Sequence, residues 1–349
     1  MKTLSFILLL SLINNCLPAQ DIKEGVITIG HGQVPSVVKD KANVIHIAYG
    51  TGDSIMYVSS KDGRTFTSPS LVSVLPGLFS FAMRGPQVAV SSRGLVITAC
   101  TKEGNIYAFN KLTKDKWAKP VMLNEVPATA KEGLMALSAD GNNVFATWLS
   151  VNDPKGQKLV GIRSVDGGKT WSKNLVVYAS PDKSICECCK PSAVVKSSKV
   201  YIMFRNWLNG NRDLYIATSS NGGRSFLPAY KLGQGSWKLS GCPMDGGGLV
   251  VSQSGLVHTV WRRESMIYAA IPGEAEHFIG EGRNCTVEMI NGTPIYAWTQ
   301  NGEMIITLPG GFKKNIGKGS LPQLKSINGR EFLCVWEKDK QIQSMLLGL

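Results

Sequence analysis

Seven copies of one strand, turn and strand pattern, an acidic turn motif that keeps phase with them, and the lack of any long segment with helical periodicity predict an all-β chain. The fold class is a β-propeller of four-stranded antiparallel blades. Seven blades are favoured, with six as the alternative, and an N-terminal strand closes the ring.

The chain of 349 residues begins MKTLSFILLLSLINNCLPAQ. One charge at Lys2, an apolar run from Leu4 to Ile13 and a small, polar end at Ala19 and Gln20 read as a secretory signal peptide. Residues 1–19 are therefore the expected leader and 20–349 a single propeller domain, exported to a periplasm or secreted. Lipidation at Cys16 is the lesser alternative, because Asn15 is a poor residue before a lipidated cysteine. The apolar run is too short to cross a bilayer, and no later stretch approaches the roughly 18 apolar residues that a transmembrane helix needs. The formal charge of +13 suits an acidic ligand, but no run of five Lys or Arg exists. Anionic carbohydrate is thus the expected partner and nucleic acid is not. Nothing in the sequence speaks to oligomeric state.

The first repeat is PSVVKDKANVIHIAYG from Pro35, followed by copies starting at Pro86, Leu134, Pro191, Gly247, Cys285 and Pro322. Each joins two short apolar strands, A and B, through a turn rich in Gly, Asn, Ser or Lys. A third strand, C, follows: SIMYVSS, NIYAFN, KLVGIRS, DLYIATS, MIYAAI and EMIITL. Several copies add a fourth, D, such as SLVSV, PVMLN and LVVYAS. The last copy ends at QIQSMLLGL with no D strand, and GVITIG at residues 25–30 is the segment left over to supply it.

Three of the turns from C to D read SKDGRTF, SVDGGKTW and SSNGGRSF, starting at Ser60, Ser164 and Ser219. Asp62, Asp166 and Asn221 are suited to accept hydrogen bonds from backbone N–H groups a few residues on, while the glycines supply positive φ. These are structural turn residues. The motif S-x-D-x-G-x-T-W and its phase with the repeat resemble the sialidase-like Asp-box (BNR-repeat) propellers over essentially the whole mature chain. Sialidases of that family typically have six blades. They carry an R-x-P triplet whose arginine binds the substrate carboxylate; RGP at Arg84 is similar, so the resemblance makes Arg84 a candidate. It also implies two more arginines, an Asp acid/base and a Tyr nucleophile paired with Glu, for which no local motif is evident here. Glycoside hydrolysis of the exo-sialidase type is thus one expectation among several.

In a propeller the loops before strand A and between B and C share one face, at the mouth of the central channel. That face collects Arg84, Arg205, Arg262 and Arg283 as substrate-binding candidates and Glu132, Glu187 and Asp245 as catalytic acids, chosen by position. It also collects Cys186, Cys188, Cys189, Cys242 and Cys285, whereas Cys100 and Cys334 fall inside B strands as core residues. Three readings of the rim stand together. It binds or hydrolyses an anionic glycan; it holds copper or zinc, or does redox chemistry, through thiolates; or it is a non-enzymatic module whose loops are stapled by disulfides, for example Cys186 or Cys188 to Cys242 and Cys189 to Cys285. Adjacent Cys188 and Cys189 are expected not to reach one ion without a contorted backbone.

Overall fold

The computed structural model describes residues 25–113, 116–153 and 156–349; the leader, its cleavage site and Cys16 lie outside them. Among the described residues the alternating apolar segments form seven antiparallel sheets, six built around four strands in sequence order and the seventh from the last three strands and the first. Blade 2 adds one short strand, Lys116–Trp117, beside Ile106–Thr113. The fold expected from the repeats is the fold observed, with seven blades rather than six.

The A strands are Gln33–Lys39, Gln87–Ser91, Met135–Asp140, Ser192–Lys196, Gly247–Val251, Arg283–Ile290 and Ser320–Ser326. Each touches the A strand of the blade on either side, so the seven form a closed ring. Around the axis they leave a cavity of about 280 Å³. An A strand is a sheet edge, and its inward N–H groups lack a ladder partner. Serines of neighbouring blades supply one: Val88 N–H donates to Ser36 Oγ at 3.1 Å and Val195 N–H to Ser138 Oγ at 2.9 Å. Where blades 5 and 6 meet, a Cβ on Gly248 would lie 2.9 Å from Thr286 Cα, so that approach requires glycine.

Between the blades lie the B and C strands, whose faces are apolar on both sides. Trp148, Trp298 and Trp336 occupy one equivalent B-strand position and are at most 1 % exposed, as repeat packing requires. Cys100 and Cys334 are unpaired and buried in B strands, and burial pushes the Cys100 thiol up to about 12. The acidic turns have the predicted geometry. Asp166 Oδ1 accepts from Thr170 N–H at 2.9 Å, Asp62 Oδ1 from the N–H groups of Arg64 and Thr65 at 2.8 Å, and Asn221 Oδ1 from Arg224 and Ser225 at 3.1 Å.

Ring closure uses both ends of the propeller. Ile27–His31 pairs antiparallel with Gln341–Gly348 as the outermost strand of blade 7, and the chain then turns through Gly32 into blade 1. A Cβ at Gly32 would stand 2.7 Å from the Gly50 carbonyl and against the Tyr49 ring. Ile29 anchors the clasp in a core shared by blades 1 and 7, with Ile45, Ile47, Leu333, Val335 and Ile342. Truncation to Ile29→Ala should destabilise the domain by about 2–4 kcal/mol, read as a lower urea midpoint at unchanged slope.

Candidate functional site

The five rim cysteines come from three loops that the ring brings side by side. Residues 180–191 carry the chain from blade 3 to blade 4, residues 232–246 from blade 4 to blade 5, and Cys285 opens blade 6. Cys188 and Cys242 form a disulfide that ties the first two loops together. Cys189 and Cys285, offered above as a second staple, are both unpaired. Cys285 instead packs among Val260, Ile267, Val287 and Trp298, while the Cys189 sulfur turns toward Cys186 at 3.5 Å.

Cys186, Cys188 and Cys189 make a buried sulfur cluster whose three Sγ atoms all lie within 4.8 Å of one another. Adjacent Cys188 and Cys189 thus hold their sulfurs on the same side, close to Cys186. Cys186 is pinned by its N–H, which donates to the Arg205 carbonyl, and by Arg212 Nη1, which donates to its sulfur at 3.1 Å. The hydrogen-bonded Cys189 thiol, with Arg205 and Arg212, outweighs burial and brings the Cys186 thiol down to about 7. Burial and the same neighbour push Cys189 well up.

Behind the cluster stands a tier of stacked guanidinium and indole groups. Arg205 is 2 % exposed; its Nη1 and Nη2 donate to the carbonyls of Arg212 and Arg262 at 2.7 and 2.8 Å, bridging blades 4 and 5. Trp237 lies between Arg205 and Arg262, 5.3 and 5.4 Å from their guanidinium carbons, and Arg212 covers Trp207 at 4.3 Å. Arg205 is thus part of the wall, because two carbonyls and an indole enclose it, and it is not a free ligand for substrate. Trp237 was not singled out from the sequence. Its signal was that it alone precedes a rim cysteine by five residues and falls outside the B-strand tryptophan series.

The predicted acids are dispersed. Glu132 is taken by Arg84, whose Nε donates to its carbonyl at 2.6 Å and Nη2 to its carboxylate at 2.5 Å, with Phe81 beneath the guanidinium. One candidate for substrate binding and one for catalysis therefore hold each other across blades 2 and 3. Glu187 is exposed and accepts from Gln157 Nε2. Asp245 is fully buried at the mouth; it accepts from the N–H groups of Gly246 and Asn284 at 2.7 and 3.1 Å and faces Arg262 Nη1 at 3.4 Å. Burial raises its carboxyl above the ordinary range against the pull of Arg205, Arg262 and Arg283.

Beside Asp245, Lys190 lines the cavity half-buried, and among the described residues it has no hydrogen-bond or ion-pair partner. Burial lowers its ammonium to about 8. Arg283 is exposed at the next entrance, with Nη2 donating to the Met244 carbonyl at 2.7 Å. The mouth itself is shaped by non-glycine residues at positive φ: Val34 at 55°, Met244 at 48°, Asn284 at 55° and Leu321 at 56°. Three of them sit at bulges where strand A enters blades 1, 6 and 7. Val34 and Leu321 each precede a proline, where the left-handed region is least expected, so no sequence signal marks them.

No known family model and no curated protein sequence matches the chain. Solved structures do match. Virginiamycin B lyase from Staphylococcus aureus aligns with a TM-score of 0.57 and 12% identity, over 93% of this chain and 99% of the lyase. A polysaccharide lyase of family PL25, an ulvan lyase, aligns with a TM-score of 0.53 and 10% identity over 93% and 96%. The NanB sialidase from Streptococcus pneumoniae reaches 0.46, with 10% identity over 91% of this chain and 68% of the sialidase. The likeness is one of fold. The Asp-box family itself therefore remains a resemblance carried by the turn motifs.

Removing the one disulfide among the described residues by Cys188→Ser with Cys242→Ser should lower stability by about 2–4 kcal/mol in chemical denaturation. A non-reducing peptide map of the unaltered protein should join these two cysteines and leave Cys285 alkylatable once unfolded.

Proposed function

We propose that this exported propeller binds an anionic glycan at the mouth of its central channel. The observation that carries the reading is Lys190, which lines the cavity of about 280 Å³ without a hydrogen-bond or ion-pair partner among the described residues, with Arg283 exposed at a nearby strand entrance and held by a single carbonyl. A half-buried ammonium lacking a counter-ion is costly to keep charged, and an incoming carboxylate or sulfate offsets that cost. An exposed guanidinium with free N–H groups adds bidentate recognition. Propeller ligands commonly sit in such mouths, and the ulvan lyase of the same fold was solved bound to -[GlcA(1-4)Rha3S]-, a uronate beside a sulfated sugar.

The reading is binding rather than hydrolysis. Each of the three candidate acids is engaged by the protein itself, Glu132 by Arg84, Glu187 by Gln157 and Asp245 by the backbone of Gly246 and Asn284. Among the described residues no tyrosine hydroxyl is hydrogen-bonded to a glutamate, as a sialidase-like nucleophile would be.

Calorimetry with sulfated or uronate oligosaccharides should give a dissociation constant that rises with salt, and Lys190→Ala or Arg283→Ala should each raise it about tenfold. Since the Lys190 ammonium is charged below about 8 and neutral above it, affinity should fall as pH is raised from 7 to 9, and this fall should vanish in Lys190→Ala. Equal binding of neutral oligosaccharides, or indifference to both substitutions, would discard the proposal.

A further inference from the structure

The sulfur cluster behind the mouth has a geometry that glycan binding does not use. Cys186 Sγ stands 3.7 Å from Cys188 Sγ and 3.5 Å from Cys189 Sγ, and the Cys242 sulfur is bonded to Cys188. A single ion with metal–sulfur bonds of about 2.3 Å in a tetrahedron sets its ligands about 3.8 Å apart. Two of the spacings already fall close to that value. The ligating group among the described residues is all sulfur, with no histidine nitrogen or carboxylate oxygen in it. Such a donor set selects a soft d¹⁰ cation over magnesium or calcium.

We propose that the buried Cys186, Cys188 and Cys189, joined by the exposed Cys242 that is bonded to Cys188, form a site for one thiophilic cation, and that the Cys188–Cys242 disulfide is its closed, oxidised form. Opening it takes two electrons and two protons: a dithiol gives both and becomes a disulfide, whereas a phosphine gives the electrons and becomes its oxide, with water supplying the oxygen and the two protons; either route yields two thiols. Binding then releases the thiol protons and forms the metal–sulfur bonds. Several thiolates around one ion leave the site with net negative charge, which in a buried place needs compensation. Arg212, bonded to Cys186 Sγ at 3.1 Å, and the enclosed Arg205 supply it. Backbone support is in place too, since the Cys186 N–H is held by the Arg205 carbonyl and residue 185 bridges to residue 206. The inference is independent of the glycan reading, because none of the four cysteines is needed at the mouth.

The test uses the full mature chain with and without phosphine reduction, followed by desalting under argon. Each form is challenged separately with Zn²⁺ and with Cu⁺ in the presence of a chromophoric chelator, and retained metal is counted by mass spectrometry. The reduced chain should hold about one ion of at least one of the two metals, with X-ray absorption giving sulfur neighbours at about 2.3 Å. The oxidised chain should hold at least tenfold less. Cys186→Ser and Cys189→Ser should each lower retention at least tenfold while circular dichroism shows the same β signature, and Cys334→Ser should leave it unchanged. Retention of zinc alone or copper alone both support the site and identify its cation. No retention by the reduced chain, or full retention by folded Cys186→Ser and Cys189→Ser, would overturn the proposal.

Discussion

Everything at the rim depends on closure of the ring. Seven twisted sheets can pack face to face around an axis only if the last finds the first, and here that meeting is made by the antiparallel pairing of Ile27–His31 with Gln341–Gly348, before the chain runs on into blade 1. The clasp holds Gln33–Lys39 beside Ser320–Ser326, and its hydrophobic anchor, Ile29, belongs to the core of both blades. With the ring closed, loops separated by many tens of residues become neighbours.

Charge is handled differently on the two sides of that wall. Inside it, Arg205 gives its N–H groups to backbone carbonyls and stacks on Trp237, and Asp245 takes N–H groups from Gly246 and Asn284, so buried charges are spent on structure. Lys190 in the channel and Arg283, exposed at a strand entrance, are left with donor capacity. The same protein thus shows arginines that look alike in sequence but differ in role, according to whether carbonyls or solvent face the guanidinium. Strained backbone at Val34, Met244, Asn284 and Leu321 opens the strand entrances around this surface, and such strain persists where surrounding structure enforces it.

The fold was legible because a propeller repeats its local rules: alternation for each strand, Gly, Asn, Ser or Lys at the turns between A and B strands, and a side-chain oxygen at Asp62, Asp166 and Asn221 to bind the following N–H groups. The clasp was legible for the same reason, as a blade short of one strand and a strand short of a blade. The partition of cysteines was partly legible as well: Cys100 and Cys334 fall in B strands and Cys186, Cys188, Cys189 and Cys242 in rim loops, whereas Cys285 lies inside a strand A and packs in the core. Less could be read of the site. Arg84 is a candidate binder through its RGP triplet and Glu132 a candidate acid through its position, but 48 residues apart in sequence they meet as an ion pair.

The sequence by itself determined the seven-bladed architecture and the face on which the rim residues gather, because both follow from period and strand direction. Only the tertiary structure decided that Cys188 takes Cys242, that Cys189 faces Cys186 and leaves Cys285 to the core, and that Lys190 stands unpaired in the channel. Those outcomes rest on ångström-scale distances between side chains of different blades. No local pattern encodes such distances, since each is set by how far the neighbouring sheets twist before they touch.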